Sequence, residues 1–306
     1  MDNITVETPL LERMTVPPVF KSLKSMNKLA EPSLLHPRTE FPTRALYQLR
    51  PSTSVANINQ DANLKRCFGR PEKIIDCDWN FLSTLKTLKD PQQSMPLLVD
   101  LLEYLASPGL EDIWVLLDIK LDNDADDVMR LIGETIRRVP PSQNRPWHER
   151  IVLGCWAAKY LPLCDDYLPG FPITHIGFSI LYASHFLKIP NVSFNLLQAV
   201  LMTPWGCAFI KKAKTLQRPI FAWTINDEKR MRWGIRKELD GVITDDPKLF
   251  LEVRDGWHEG VKERFGIMVW LGVLRINLFA LVFGFLFRRK FGFGDKKIFF
   301  RPTVED

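Results

Sequence analysis

Two ionisable residues, Asp118 and Lys120, close the run Ile113-Trp-Val-Leu-Leu-Asp-Ile-Lys120. In a parallel α/β protein, polar residues just past the C-terminal end of a strand line the active-site mouth, so this placement is itself chemical information. Strand alternation puts both side chains on one face, pointing into the mouth together. A carboxylate beside an ammonium there suits a hard divalent cation plus a phosphate oxygen, and it equally suits an ion pair within the barrel. A second strand end, Trp223-Thr-Ile-Asn-Asp227, offers an indole either as a wall for an apolar or sugar-like group or as ordinary core. A third, Asp245-Asp246-Pro247 after Gly-Val-Ile-Thr, offers carboxylates, of which Asp246 is also placed to cap the next helix.

Other constellations fail by spacing. Asp122, Asp124 and Asp126 imitate the start of a calcium loop, but Asp127 stands where the glycine belongs and Gly133 where the twelfth ligand belongs. Gly177-Phe178-Ser179 lacks the second glycine of a nucleophile elbow, and there is no phosphate-binding Walker loop. The histidines, His36, His148, His175, His185 and His258, show neither H-x-H nor H-E-x-x-H spacing, so each reads as structural or surface.

The elements that must position these strand ends follow from the hydrophobic pattern. Short apolar runs at Val55–Ile58, Ile113–Asp118, Arg150–Cys155, Thr174–Phe178, Ile220–Thr224 and Gly241–Thr244 alternate with amphipathic stretches, as parallel strands buried between helices do. The segment from Asp122 to Arg138 predicts a helix with Val128, Leu131, Ile132 and Ile136 on one face. Its first turn is acidic and its last basic, both favourable to the helix dipole, and Pro140-Pro141 stops it. Such βα units fit a doubly wound sheet or most of a (β/α)8 barrel, which takes about 250 residues. No G-x-G-x-x-G follows a strand, so the dinucleotide version loses ground. The expected fold is an α/β, TIM-type (β/α)8 barrel, incomplete at its N-terminal strands.

The chain has 306 residues and a net charge of +5, too small and dispersed to indicate nucleic acid. Five cysteines without a C-x-x-C pair fit neither a disulfide framework nor a zinc knuckle and read as free thiols of a reducing compartment. Residues 1–55 are proline-rich and aperiodic, an irregular leader without the apolar run of a signal peptide. Residues 56–258 carry the barrel. Residues 265–287 form a continuous apolar stretch, long enough for a bilayer span of about 20 residues. Arg275 and Asn277 near its middle leave an interfacial helix, a hairpin or a buried barrel helix as alternatives to a span. Residues 288–306 are a basic tail suited to anionic lipid surfaces.

Five ordered segments resemble the glycerophosphodiester phosphodiesterase family: Asp61-Ala-Asn-Leu-Lys-Arg-Cys-Phe-Gly69, Trp114-Val-Leu-Leu-Asp-Ile-Lys-Leu-Asp-Asn123, Ile151-Val-Leu-Gly-Cys-Trp156, Trp223-Thr-Ile-Asn-Asp227 and Asp240-Gly-Val-Ile-Thr-Asp-Asp-Pro247. With the apolar tail, the fungal phosphatidylglycerol phospholipase C branch is the most similar. The resemblance covers roughly residues 58–255. It implies metal-dependent hydrolysis of a phospholipid or other glycerophosphodiester, with Mg2+ or Ca2+ as cofactor and a membrane as partner. Asp118 would be a metal ligand, Lys120 a phosphate contact, and Trp223 and Arg66 substrate contacts. It also implies a cytosol-facing location on the endoplasmic reticulum, lipid droplets or mitochondria.

The sequence departs from the family at its chemistry. The opening H-R-G strand is not found, and His36-Pro37-Arg38 follows no strand. No E-x-D pair follows a second strand, and the family's H-D is Gln60-Asp61, whose amide cannot shuttle a proton. Two catalytic histidines and two metal carboxylates are thus missing together, and an impaired enzyme or an inactive membrane-surface binder is expected. Three expectations follow: the leader replaces the missing strands irregularly, a partner supplies them, or residues 1 to about 58 belong to a misjoined or alternative reading frame, which the change of texture near Ala56 favours.

Overall fold

The computed structural model describes residues 46–52, 55–58, 63–142, 145–258 and 264–291. Leu46–Ser52 (β1) and Val55–Ile58 (β2) form an antiparallel hairpin. Three short helices follow, Lys65–Phe68 (α1), Trp79–Thr84 (α2) and Leu98–Leu105 (α3). Strands Val115–Ile119 (β3), Ile151–Cys155 (β4), Ile173–Gly177 (β5), Val192–Leu197 (β6), Ile220–Trp223 (β7) and Gly241–Val242 (β8) then curl as a parallel half-barrel. Between and after them lie Ala125–Arg138 (α4), Leu161–Tyr167 (α5), Ile180–Phe186 (α6), Gln198–Leu201 (α7), Pro204–Thr215 (α8), Glu228–Arg236 (α9) and Pro247–Asp255 (α10). The sheet order is β2-β1-β3-β4-β5-β6-β7-β8, with β2 alone antiparallel and no ladder from β8 back to β2 among the described residues.

Three strand expectations need correction. β1 arises within the stretch expected to be irregular, and it pairs parallel with β3, Leu46 opposite Leu116. Val55–Ile58 is a strand, but as the outer arm of a hairpin rather than the start of a βα unit. Pairing, not local pattern, sets that direction, because an edge strand is defined by the backbone groups its neighbour leaves open. β6 was not anticipated. Its Val192-Ser-Phe-Asn-Leu-Leu197 runs into α7 without a glycine or proline to mark the boundary.

α4 forms as its pattern predicts. The Asp124 carboxylate accepts from the Asp127 amide at 3.0 Å, a cap worth about 1 kcal/mol. Val128, Leu131, Ile132 and Ile136 pack with Leu117, Ile119 and Leu153 in the layer between helices and sheet. A second outer layer joins Phe194, Leu196 and Ile220 to α6, α8 and α9. Opposite side chains of the strands face the barrel interior, where Leu116, Val152 and Phe221 cluster. At the entry of β4, buried Arg150 donates to the carbonyls of Ile113, Leu105 and Leu110 at 3.0, 2.9 and 2.7 Å. That guanidinium ties α3 and its following loop to the sheet.

The C-terminal apolar stretch is a single helix, Ile267–Lys290 (α11), of 24 residues. By length and composition it is able to cross a membrane. It docks on α6 and α7 through Val273, Asn277, Ala280 and Gly284, spaced three and four apart along one face. A Cβ on Gly284 would stand 2.9 Å from Ser179 Oγ, so glycine permits this approach. Asn277 Nδ2 donates to the carbonyls of Ala199 and Val273 at 2.9 and 2.8 Å, which gives a polar residue in an apolar helix its place. Leu271, Leu274, Leu278, Leu281 and Leu286 point outward and are half exposed or more. A wholly buried barrel helix is thereby excluded.

Candidate active site

Asp118 is the fourth residue of β3 and faces the interior, 2% exposed. Its Oδ2 accepts from Lys120 Nζ at 2.8 Å and its Oδ1 from Trp156 Nε1 at 2.7 Å. Both carboxylate oxygens are therefore engaged. The Lys120 ammonium also lies 4.8 Å from the centre of the Trp156 ring, a cation–π contact that fixes it above the indole. Its side chain keeps 19% exposure at the mouth. The Lys120 carbonyl accepts from Tyr160 Oη at 2.7 Å and from Asn123 Nδ2 at 3.0 Å, which pins the turn leaving β3.

Trp156 stands one residue beyond β4, and its ring meets Trp223, the last residue of β7, edge to face at 5.7 Å. Trp223 Nε1 donates to the Asn195 carbonyl at 3.0 Å, which anchors the second indole to β6. Asn195 shows no hydrogen bond from either side-chain amide atom among the described residues. Gly154, opposite Asp118 in the ladder, carries no side chain; a Cβ there would lie 2.7 Å from Ile176 Cδ1. The strand ends thus place one charge-paired ammonium over the Trp156 indole, which is itself packed against Trp223, an arrangement able to receive a phosphate oxygen and shield an apolar or polyol group.

The structure brings together three of the residues singled out in the sequence: Asp118, Lys120 and Trp223. Trp156, Tyr160 and Asn195 join them and were not given roles. Trp156 was open to the same strand-end rule that marks Lys120, whereas Asn195 sits on the strand that was missed. Arg66 is exposed on α1. Gln60, Asp61 and His36 lie outside the described residues. Asp246 caps α10 by accepting from Leu249 N at 2.9 Å, and Asp245 accepts from Asn226 Nδ2 at 2.9 Å. Those carboxylates are structural.

His175 takes the structural place expected of it. It alternates outward on β5, stacks on Phe186 with ring centres 4.0 Å apart, and its Nδ1 meets the Cys155 carbonyl at 3.2 Å. Burial pushes its pKa down to about 3, so it is a neutral core residue. The five cysteines are free; buried Cys155 and Cys164 have sulfurs 3.7 Å apart.

An open parallel α/β barrel with a polar site at its strand C-terminal ends belongs to the class of barrel enzymes that work from that face. Within that class, the chain belongs to the glycerophosphoryl diester phosphodiesterase family, whose sequence model matches residues 54–249. By family it is a phosphoric diester hydrolase. A comparison with curated protein sequences returns no match. Among solved structures it is similar to a glycerophosphodiester phosphodiesterase from Parabacteroides distasonis ATCC 8503, at 16% identity and a TM-score of 0.56, covering 69% of this chain and 83% of that one. An Oleispira antarctica phosphodiesterase, solved with its product sn-glycerol-3-phosphate, matches at 15% identity and a TM-score of 0.56, covering 69% and 84%. The enzyme from Thermotoga maritima matches at 23% identity and a TM-score of 0.51, covering 68% and 84%. These likenesses confirm the barrel fold.

Enzymes of this family are generally dependent on a divalent metal. Among the described residues no three histidine, cysteine or carboxylate side chains come together to hold one. Asp118 has both oxygens taken by an indole N–H and an ammonium, so the described residues do not fit a metal as they stand.

Proposed function

We propose that this chain acts at a cytosol-facing membrane surface on phosphatidylglycerol or a related glycerophosphodiester lipid, by phospholipase C-type hydrolysis. Water adds to phosphorus, the bond to the diacylglycerol oxygen breaks, and glycerol phosphate and diacylglycerol are released. The observation that carries this reading is spatial. α11 docks on α6 and α7, the helices that follow the C-terminal ends of β5 and β6. The apolar helix and the Lys120 site therefore share one end of the barrel, and a lipid surface meeting α11 also faces the mouth. In this reading Lys120 contacts the phosphate, Trp223 walls the glycerol, and exposed Arg66 adds a further anion contact. Asp118 positions Lys120. A metal role for Asp118 requires donors from outside the described residues.

A second reading, an inactive relative that binds lipid surfaces, is favoured by the closed Asp118 carboxylate and by buried, neutral His175, which offers no proton relay to the mouth. Incubating the full chain with phosphatidylglycerol vesicles separates the two. Release of glycerol phosphate, lost in Asp118→Ala, supports the hydrolase. Salt-sensitive vesicle binding with no release from any glycerophosphodiester supports the binder instead.

A further inference from the structure

A cavity of about 640 Å3 lies between α6, α7, α8 and α11, outside the barrel mouth. Buried Val200, Phe209, Leu187 and Ala280 form its inner wall. Leu181 and Trp205 stand at its rim, 58% and 77% exposed, together with Leu281 of the outward α11 face.

Most of its polar side chains are engaged by nearby main chain, Ser179 Oγ accepting from Tyr182 N at 3.3 Å. Ser184 Oγ donates to the Ile180 carbonyl, Thr203 Oγ1 to that of Val200, and Asn277 Nδ2 to those of Ala199 and Val273. Lys212 is the exception: it lines the cavity and makes no ion pair among the described residues. α8 carries Lys211, Lys212 and Lys214 and no carboxylate, and Lys214 alone is paired, with Glu238 at 2.6 Å. A mostly apolar pocket whose Ser184, Thr203 and Asn277 donors are engaged with main chain, and which has one ammonium unpaired among the described residues, selects apolar surface ending in negative charge. It offers little to a sugar, a nucleotide or a polar peptide.

We propose that this cavity binds one alkyl chain of an anionic amphiphile from the membrane, with Lys212 at the rim holding the anionic group. The source is the bilayer, because α11 forms one wall of the cavity while its other face is apolar and exposed. Trp205 suits that boundary, since an exposed indole is at home where apolar and wet regions meet. The inference rests on the membrane reading of α11 and not on hydrolysis, so it holds for an active or an inactive chain.

The test is photocrosslinking of the full chain in phosphatidylcholine vesicles, using a diazirine-tagged long-chain fatty acid and the same chain ending in trimethylammonium, with labelled peptides mapped by mass spectrometry. The fatty acid is expected to label α6 and α8 as well as the outward face of α11. Labelling of α6 and α8 is expected to fall about tenfold in Ala208→Trp, where exposed Ala208 lines the cavity and the indole fills it. It is expected to fall about fivefold in Lys212→Glu. Labels confined to α11 would overturn the cavity inference while leaving the membrane reading intact. No label on α11 would overturn both. Equal labelling of α6 and α8 by the cationic and anionic probes would remove Lys212 from the recognition.

Discussion

The two ends of the β3–β4 pair each hold a buried charge, and they use it differently. At the strand entries, Arg150 is 1% exposed and donates to three main-chain carbonyls, those of Ile113, Leu105 and Leu110. At the strand exits, Asp118 is as deeply buried, yet its partner Lys120 keeps 19% of its side chain exposed at the mouth. A charge closed on all sides by backbone serves the fold. One whose partner reaches the surface of the mouth stands where function sits in a parallel barrel.

The sharpest test of this contrast is Arg150→Met, which removes the guanidinium donor from the Leu105, Leu110 and Ile113 carbonyls. A loss of about 3 kcal/mol or more in denaturant unfolding is expected. A loss below about 1 kcal/mol would erase the distinction between the two ends.

Next in size is the pH dependence of the outer core beside them. His175 has a folded pKa of about 3 and an unfolded value near 6.5, so between these limits the unfolded chain binds more protons. Stability is full above pH 6.5 and declines as pH falls toward 3, by up to about 1.4 kcal/mol per pH unit. His175→Phe is expected to flatten this slope in urea titrations at pH 7, 6 and 5. An unchanged slope would assign it to other groups.

A smaller effect is expected at the mouth. Asp118→Asn keeps an oxygen for Trp156 and frees Lys120 to meet water, so unfolding should change by about 1 kcal/mol, well below Arg150→Met. Equal losses at the two sites would show the mouth to be as closed as the base.

The smallest effect belongs to the outward face of α11. Leu274→Ser with Leu278→Ser should leave barrel stability in lipid-free solution within about 0.5 kcal/mol, while vesicle cosedimentation weakens. Retained cosedimentation would move the membrane contact elsewhere.

Much of the barrel was legible in residue order. Six apolar runs ended where strands end within a residue or two, and α4 was marked by its cap, its stripe and its flanking charges. The pairing of Asp118 with Lys120 on one face followed from the two-residue period alone. β6 was not legible, because its residues pass from strand to helix without a turn former. β1 escaped notice because a strand is defined by its neighbours, and its parallel partner β3 lies far along the chain, with Leu46 opposite Leu116.

By itself, the sequence determined what is periodic and local: the βα alternation, the strand-end carboxylate and ammonium, the apolar length of the C-terminal helix, and the family segments. The tertiary structure decided which of two chemically equivalent outcomes each group took. Asp118 could meet a cation of either kind, and the approach of Trp156 from β4 closed its second oxygen around Lys120. Asn277 and Arg275 both interrupt an apolar run, yet only Asn277 falls on the face that meets Ala199, while Arg275 stands exposed. Composition specifies which interactions a group can make; only packing specifies which partner arrives within 3 Å.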